Sequence, residues 1–217
     1  PAVRKHLHDV FLEIVERYPV DGLHFDYVRY PSEVGDWAYN TASVDSFKVQ
    51  YKDYDDPSPQ KYPVQWAEWK RSRITELVEA VYRDAKEARP ELFVSAAVIH
   101  NWPRGHNDYA QDARRWLARG ILDATTPMLY RYGPAEYPYV AREHLQHSFG
   151  RKVIPGLNPS RTSPEEMVEL IEISRELGAP GVALFSYSGL FPDHRPGGKA
   201  EVLRSGPFAR SALVPSD

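Results

Sequence analysis

Residues 20–31 read Val-Asp-Gly-Leu-His-Phe-Asp-Tyr-Val-Arg-Tyr-Pro, and the interpretation of the whole sequence starts from this stretch. Its apolar positions predict a short buried strand over residues 21–27. Side chains alternate along a strand, so His24 and Asp26 are expected on one face, opposite the apolar side chains Leu23, Phe25 and Tyr27. Carboxylates are rarely buried without a partner, so a polar end on such a strand is typical of a functional site. The alternatives are a solvated edge strand and a structural ion pair between Asp26 and Arg29.

Strand-like and helix-like segments alternate along the rest of the chain. Strands are predicted at residues 21–27, 92–99, 121–130, 152–157 and 181–187. Helices are predicted from apolar spacing around residues 3–15, 66–82, 108–119, 136–148, 163–178 and 199–204. Residues 31–65 form a long polar and aromatic connection. This alternation indicates βαβ units and a parallel sheet, in which right-handed crossovers place the carboxyl ends of the strands on one common face.

These units predict an α/β fold of the (β/α)8 TIM-barrel type, whose common face holds the active site. The sequence shows five strand–helix units, whereas a closed barrel has eight, usually in about 250 residues. Either further strands are present but not recognised, or part of the barrel is absent from this sequence. The helical pattern at its start favours the second, so residues 1–217 are expected to form a single (β/α)-barrel domain with strands 4–8 and without its first three strand–helix units. A five-stranded open sheet of the doubly wound type is the structural alternative.

The composition excludes several classes of protein and site. The net charge of -3 predicts no attraction to nucleic acid, and no apolar run reaches the length of a membrane span. Cysteine is absent, which excludes disulfides, thiolate nucleophiles and Cys-based metal sites. No phosphate loop or dinucleotide fingerprint is present, so no cofactor is expected. The sequence does not indicate an oligomeric state.

Polar and aromatic side chains follow the predicted strand ends. The candidate substrate-binding residues are His24, Arg29, Tyr30, His100, Trp102, Tyr130, Tyr132, Asn158 and Tyr187. Tyr and Trp present apolar faces to pyranose rings, so Trp102, Tyr130 and Tyr132 are the best stacking candidates. The alternatives are that Tyr130 packs in the core and that Asn158 only forms a turn before Pro159.

Residues 21–31 resemble the hallmark motif of the family 10-like glycosyl hydrolases, a bacterial barrel family distantly similar to the α-amylase clan. Weaker matches are Trp66-Ala67-Glu68-Trp69-Lys70-Arg71, Asp123-Ala124-Thr125-Thr126-Pro127-Met128-Leu129-Tyr130, and Pro207-Phe208 with Ala212-Leu213-Val214-Pro215. The resemblance spans nearly the whole chain. It aligns the chain with the fourth to eighth strands of that family's barrel.

The resemblance implies cleavage of glycosidic bonds in polysaccharides of the bacterial cell envelope, including peptidoglycan glycan strands, and an extracytoplasmic location. By position, Asp26 corresponds to the carboxylate nucleophile of the α-amylase clan, and His24 corresponds to a group that orients substrate. The chain departs from that clan at the fifth strand, because Ser95-Ala96-Ala97-Val98 lacks the Glu that would serve as the acid.

Glycoside hydrolysis usually needs two carboxylates. Asp26 is the candidate for the first, and a nearby Arg29 would favour its ionised form. Glu33 and Asp36 follow in the next loop and are candidates for the second, although each is more simply interpreted as a solvated loop charge. The missing strands are an alternative source of the acid.

The leading hypothesis is therefore a glycoside hydrolase that acts on an oligo- or polysaccharide, with Asp26 as its central carboxylate and no metal. A second hypothesis is a carbohydrate-binding barrel without catalytic activity. A third is a metal-dependent hydrolase that uses His24, Asp26 and His100, since His and carboxylate side chains are common metal ligands.

Overall fold

The computed structural model describes residues 2–31 and 37–210. Contacts between α-carbons divide the chain after Leu122 into two units. Strands alternate with helices along both units, and the strands that pair within each unit are parallel. The predicted α/β fold with parallel strands is therefore confirmed.

The first unit is built around two adjacent parallel strands. Its elements are α1 (Ala2–Arg17), β1 (Gly22–Phe25), α2 (Thr41–Gln50), α3 (Pro63–Ala88), β2 (Phe93–Val98), α4 (Trp102–Asp108) and α5 (Ala113–Ala118). Gly22 pairs with Phe93 at the start of β1. A Cβ on Gly22 would lie 2.4 Å from the Phe93 carbonyl oxygen, so this close approach requires glycine.

One face of β1 packs against α1. Leu23 and Phe25 are buried, and the Phe25 ring meets the Phe11 ring edge-on, with centroids 4.8 Å apart. Helix α3 buries an apolar face that includes Val78 and Val81, both fully inaccessible to solvent. The side of β1 that faces the helices is therefore packed with apolar side chains.

The long connection over residues 31–65 contains a helix that the sequence does not predict. Helix α2 begins after Asn40, whose side chain accepts a hydrogen bond from the Ser43 backbone N–H at 3.0 Å. Phe47 is the single buried residue of α2, so the helix has no apolar stripe that a periodicity argument could find. It packs against Trp66 and Trp69, whose rings stack with centroids 4.7 Å apart.

The family-like segment 66–71 therefore has a structural role at the start of α3. Glu68 lies between Trp66 and Trp69 in the sequence. It accepts hydrogen bonds from Arg71 at 3.1 Å and from Arg115 of α5 at 2.7 Å. Desolvation raises the pKa of Glu68, but these two arginines outweigh it, and the pKa lies below its usual value. The ionised Glu68 links α3 to α5.

The second unit has shorter strands and a separate apolar core. Its elements are β3 (Ala124–Pro127), α6 (Tyr137–Gln146), β4 (Lys152–Val153), β5 (Gly156–Leu157), α7 (Pro164–Glu176), β6 (Ala183–Leu184), the 3₁₀ helices Tyr187–Gly189 and Pro192–His194, and α8 (Gly198–Ser205). Strand β3 pairs with β4, and β5 pairs with β6. The buried core contains Leu129, Tyr137, Ala141, Leu157, Met167, Leu170, Ile171 and Leu203.

Several predicted elements have different bounds in the structure. The strand predicted at 152–157 is divided into β4 and β5, because Pro155 has no N–H for a strand ladder. Of the helix predicted at 108–119, residues 113–118 form α5. The sequence does not predict α4, which ends at Asp108, and Ala110 between the two helices has a φ of 50°. The start of α7 is confirmed, since Ser163 and Glu166 form the predicted capping box. Across the described ranges, every helix is too short or too polar to cross a lipid bilayer.

Candidate functional site

The predicted alternation of side chains is observed within β1 and ends with it. Leu23 and Phe25 are buried, whereas His24 between them is exposed. Tyr27 was expected on the buried face, and this prediction is wrong. The strand ends at Phe25, and Tyr27 takes a φ of 54° that turns its side chain out of the core, so it is 77% exposed.

Asp26 is the first residue after β1 and carries a half-exposed carboxylate. Its Oδ1 accepts a hydrogen bond from the Tyr27 backbone N–H at 2.7 Å and lies 3.5 Å from Arg29 Nη1. Within the described residues, Asp26 Oδ2 has no hydrogen-bond partner. The Arg29 side chain is largely buried, and its guanidinium also lies 4.2 Å above the Tyr27 ring. One carboxylate oxygen is thus held by the protein, and the other is open to solvent.

His24 is held by a serine that the sequence does not identify as a site residue. Ser95 lies opposite His24 in the register of β1 and β2, and its Oγ is 2.8 Å from His24 Nδ1. The buried Ser95 hydroxyl also donates a 3.5 Å hydrogen bond to the Leu23 carbonyl oxygen. When the Ser95 proton goes to the Leu23 carbonyl oxygen, His24 Nδ1–H is the donor to Ser95 and Nε2 is an acceptor; when the proton goes to Nδ1, Nε2 carries the ring proton.

The environment of His24 also sets its protonation state. Desolvation of the ring lowers the pKa of His24 below the ordinary value of 6.5, and the nearby Asp26 carboxylate opposes this shift only in part. The imidazole is therefore neutral at pH 7. A neutral imidazole can form a hydrogen bond with a substrate hydroxyl through Nε2, and in the tautomer with Nδ1–H it can accept a proton there.

This shift predicts how stability depends on pH. The folded chain resists protonation of His24, so the residue's contribution to the free energy of unfolding is complete above pH 6.5 and declines as the pH falls through the folded-state pKa. We expect a midpoint below 6.5 when the His24 ring resonances are titrated by NMR. His24→Gln is expected to make the loss of stability on acidification shallower. A titration midpoint at or above 6.5 would contradict this account.

A cavity of about 490 Å³ borders Asp26 on the helix side of β1. Tyr30 lines it together with Leu7 and Phe11 of α1 and Ile74 of α3. Burial raises the pKa of Tyr30, and Arg73 and Arg4 act in the opposite direction. The hydroxyl therefore stays protonated and can donate a hydrogen bond.

Gln111 is a second residue that the sequence does not single out, and it links the ends of both strands. It is 1% exposed. Its Oε1 accepts a hydrogen bond from the Ile99 backbone N–H at 2.8 Å. Its Nε2 donates to the Ala97 carbonyl oxygen at 3.1 Å and to the Val28 carbonyl oxygen at 3.4 Å. One buried amide thus holds the chain after Asp26 against the end of β2.

His100 and Trp102 follow the carboxyl end of β2, as predicted. His100 is half-buried in the loop, and Trp102 is the first residue of α4. The Arg114 guanidinium lies 4.3 Å above the Trp102 ring, and the His106 ring is 5.0 Å away. These contacts cover part of the surface that was predicted to stack on a sugar.

The structure gives no support to a metal centre at His24, Asp26 and His100. Throughout residues 2–31 and 37–210, no three His, Asp or Glu side chains are grouped so that they could hold a metal ion. The alternative of a metal-dependent hydrolase built on these three residues therefore lacks its ligand set.

In the second unit, Tyr130 and an unpredicted phenylalanine form an aromatic pair near the strand ends. Tyr130 follows β3, Phe185 follows β6, and their rings stack with centroids 5.9 Å apart. Phe185 is 58% exposed, so part of its ring is accessible to solvent. Tyr132 packs against the core of this unit and lines a cavity together with Tyr130.

Asn158 and Tyr187 also lie at strand ends of the second unit. Asn158 Oδ1 accepts a hydrogen bond from the Ser160 backbone N–H at 2.9 Å, so this oxygen forms the turn that was the alternative interpretation. Tyr187 begins a 3₁₀ helix, is 57% exposed, and stacks on Phe191 with centroids 4.6 Å apart.

The predicted site residues therefore form separate groups. Asp26, Arg29 and Tyr30 line one cavity at the end of β1, and His24, on the other face of the strand, is close enough to Asp26 for its pKa to be affected. The candidates for the second carboxylate, Glu33 and Asp36, lie outside the described residues, as does the family-like segment 212–215.

Comparison with known proteins identifies a family. A family model described as glycosyl hydrolase-like 10 matches residues 1–152, which is more than half of the chain. The chain is similar to glycosyl hydrolase YngK of Bacillus subtilis (strain 168), with 23% identity over 245 residues, covering 99% of this chain and 46% of that protein. It is also similar to glycosyl hydrolase DigH of Escherichia coli (strain K12), with 26% identity over 145 residues, covering 60% of this chain and 30% of that protein. The chain thus spans less than half the length of these relatives.

Solved structures show a similar fold. Bee venom hyaluronidase superposes with a TM-score of 0.56 at 15% sequence identity, over 93% of this chain and 74% of that chain. The same enzyme in complex with a hyaluronic acid tetramer gives a TM-score of 0.53 at 16% identity, over 94% of this chain and 72% of that chain. At these identities the likeness concerns the fold and not the site.

Proposed function

The chain belongs to the glycosyl hydrolase-like 10 family, and from this membership we propose that it is a glycoside hydrolase acting on a polysaccharide of the bacterial cell envelope, such as the glycan strands of peptidoglycan. Family and fold together support a function of the glycosidase type. The polysaccharide and the residues that act on it are proposals based on the geometry at the end of β1.

One observation carries the proposal. The segment that resembles the family hallmark ends a parallel strand with the exposed Asp26 carboxylate, which has an arginine on one oxygen and an open second oxygen. Carboxyl ends of parallel strands hold the active sites of (β/α) barrels. A carboxylate in this position can attack an anomeric carbon or stabilise the positive charge that develops there.

The neighbouring residues are assigned complementary roles. Arg29 keeps Asp26 in place, and neutral His24 forms a hydrogen bond with a sugar hydroxyl through Nε2. Tyr30 donates a hydrogen bond. The other proposed substrate-binding residues are His100, Trp102, Tyr130, Tyr132, Asn158 and Tyr187. Trp102 is proposed to contact a sugar with the ring face that Arg114 does not cover. Asn158 is proposed to donate a hydrogen bond from its amide nitrogen to a sugar hydroxyl, because its oxygen is engaged by Ser160.

Glycosidases need a second carboxyl group as acid or base. A separation from Asp26 of about 5–5.5 Å would give retention of configuration, and about 6.5–9.5 Å would give inversion. We propose Glu33 or Asp36 for this role, because both follow Asp26 within ten residues of the chain. A residue of the full-length protein outside this chain is the alternative source.

The test is the release of reducing ends from peptide-free peptidoglycan strands, measured together with binding of the same strands. Hydrolysis by the chain supports the proposal in full. Binding without hydrolysis supports the second candidate function, a carbohydrate-binding barrel without activity. The absence of a Glu from residues 95–98 favours this second function. If the chain neither hydrolyses nor binds these strands, both proposed functions are wrong.

We also propose that residues 1–217 belong to one (β/α)8 barrel together with three further strand–helix units of the same protein. Within the described residues, β1 has β2 as its one hydrogen-bonded neighbour. Val3, Leu7 and Val10 are all at least 40% exposed, and their spacing forms an apolar stripe on α1. A further strand and helix would cover both surfaces. Expression of the full-length protein should raise the midpoint of thermal unfolding, and an unchanged midpoint would count against this domain assignment.

An extracytoplasmic location is part of the proposal, because the glycan of the cell envelope lies outside the cytoplasm. Cell fractionation with an antibody against this chain tests it directly. Recovery in the cytoplasmic fraction would argue against a cell-envelope substrate.

A further inference from the structure

A cavity of the second unit is lined by two arginines. The cavity has a volume of about 480 Å³ and lies between the loop after β3 and the start of α7. Its lining includes Tyr130, Arg131, Tyr132, Arg161 and Thr162. Arg131 and Arg161 are exposed, and neither guanidinium has an ion-pair or hydrogen-bond partner in the part of the chain that the structure describes.

Two other arginines of the same unit have acidic partners. Arg175 lies 2.7 Å from Glu172, and Arg151 lies 3.4 Å from Asp123. The lining of the cavity includes one carboxylate, that of Glu166, and its Oε2 accepts the Ser163 backbone N–H at 2.9 Å in the capping box of α7. The cavity therefore carries an excess of positive charge.

The walls of the cavity suit a sugar as well as a charge. Tyr130 and Tyr132 line it, and tyrosine combines an apolar ring face with a hydroxyl that forms hydrogen bonds. A guanidinium presents parallel N–H donors that match both oxygens of a carboxylate, and this charge-assisted pair is stronger than a neutral hydrogen bond. Two arginines beside two tyrosines thus match a pyranose that carries a carboxylate.

We infer that this cavity is a subsite for an acidic sugar residue, whose carboxylate binds Arg131 and Arg161 while its ring lies against Tyr130 and Tyr132. The inference rests on the proposed function and narrows its substrate class to polysaccharides with carboxylate-bearing sugars.

The test compares two forms of one glycan. Peptide-free peptidoglycan strands carry a lactyl carboxylate on each muramic acid residue, and chemical reduction converts this group to a neutral alcohol. Binding is measured by isothermal titration calorimetry with an Asp26→Asn background, so that turnover does not interfere. We expect about tenfold tighter binding of the acidic strands, and a preference that declines as NaCl is raised, because salt screens exposed charges.

Variants assign the preference to this cavity. Arg131→Gln and Arg161→Gln are each expected to weaken binding of the acidic strands by about 3- to 10-fold and to leave binding of the reduced strands unchanged. Arg142→Gln, which removes an exposed arginine from α6 outside the cavity, is the matched control and is expected to bind as the parent does. Circular dichroism verifies that each variant is folded.

The outcomes separate the subsite from the proposed function. Equal binding of acidic and reduced strands overturns the acidic subsite and leaves the glycoside hydrolase proposal intact. A preference for acidic strands that survives both arginine substitutions overturns the assignment to this cavity. Failure to bind either form overturns the subsite and the proposed function together.

Discussion

Replacing Asp26 with asparagine is expected to lower kcat/KM for glycan hydrolysis by at least about 10³-fold, a loss of roughly 4 kcal/mol of transition-state stabilisation. The amide has nearly the same size as the carboxylate but cannot attack an anomeric carbon or balance the charge of an oxocarbenium ion. Asparagine can still accept the Tyr27 N–H through its side-chain oxygen, so the backbone after β1 is retained. Saccharide affinity is therefore expected to stay within about threefold of the parent.

Asp21→Asn is the matched control for this prediction. Asp21 is exposed and lies at the opposite, amino-terminal end of the same strand, where barrel enzymes do not place their chemistry. Hydrolysis is measured as reducing ends released per unit time, and binding is measured separately by calorimetry. If Asp26→Asn retains the parental rate, Asp26 is not the central carboxylate. If Asp21→Asn loses activity equally, the loss reflects a general disturbance of β1.

Periodicity and end signals predict most of the fold. The apolar spacing of α1, the capping box at Ser163 and the alternation of Leu23, His24 and Phe25 are all local patterns, and each appears in the structure. These signals depend on neighbours in sequence, which is why a single chain is enough to detect them. The parallel pairing of strands follows from their alternation with helices.

The errors in the fold arise where tertiary contacts decide the conformation. Helix α2 buries only Phe47, so its position depends on the stacked Trp66 and Trp69 and not on its own pattern. The break between α4 and α5 falls at Ala110, a residue with good helix propensity that takes a positive φ. Its neighbour Gln111 turns inward there to reach the ends of β1 and β2.

The candidate site was predictable in its central residues but not in its supports. Asp26 is visible because a carboxylate at the end of an apolar strand is unusual. Ser95 gives no such signal, since a serine within an apolar strand is ordinary, and its contact with His24 depends on the register of two strands 71 residues apart. The charge excess around Arg131 and Arg161 likewise requires knowledge of which acidic side chains are already engaged.

Substituting Gln111 with methionine is expected to destabilise the chain by about 2–4 kcal/mol while preserving side-chain volume. The change leaves the Ile99 N–H and the Val28 and Ala97 carbonyl oxygens without their buried partner. Urea unfolding measures the loss, and Gln60→Met, at an exposed position of the same unit, is the control. The rate of hydrolysis should also fall at urea concentrations too low to unfold the chain. The reason is that Val28, which loses its hydrogen bond to Gln111, lies two residues after Asp26. A change below about 0.5 kcal/mol would show that the amide is not a structural link.

Gln111→Glu separates the hydrogen-bond role from simple packing. The carboxylate retains an acceptor for Ile99 but loses the donor to Ala97 and Val28, and it places a charge at a position that is 1% exposed. Burial raises the pKa of such a carboxyl above its unfolded value, so the penalty is greatest at neutral pH and declines as the pH falls through the folded-state pKa. The protonated acid can again donate one hydrogen bond. Relative to the parent at the same pH, Gln111→Glu should therefore regain stability between pH 7 and pH 5, whereas Gln111→Met should not. If the stabilities of the two variants change with pH in parallel, protonation of the carboxyl does not restore the lost donor, and the hydrogen-bond role assigned to Gln111 is wrong.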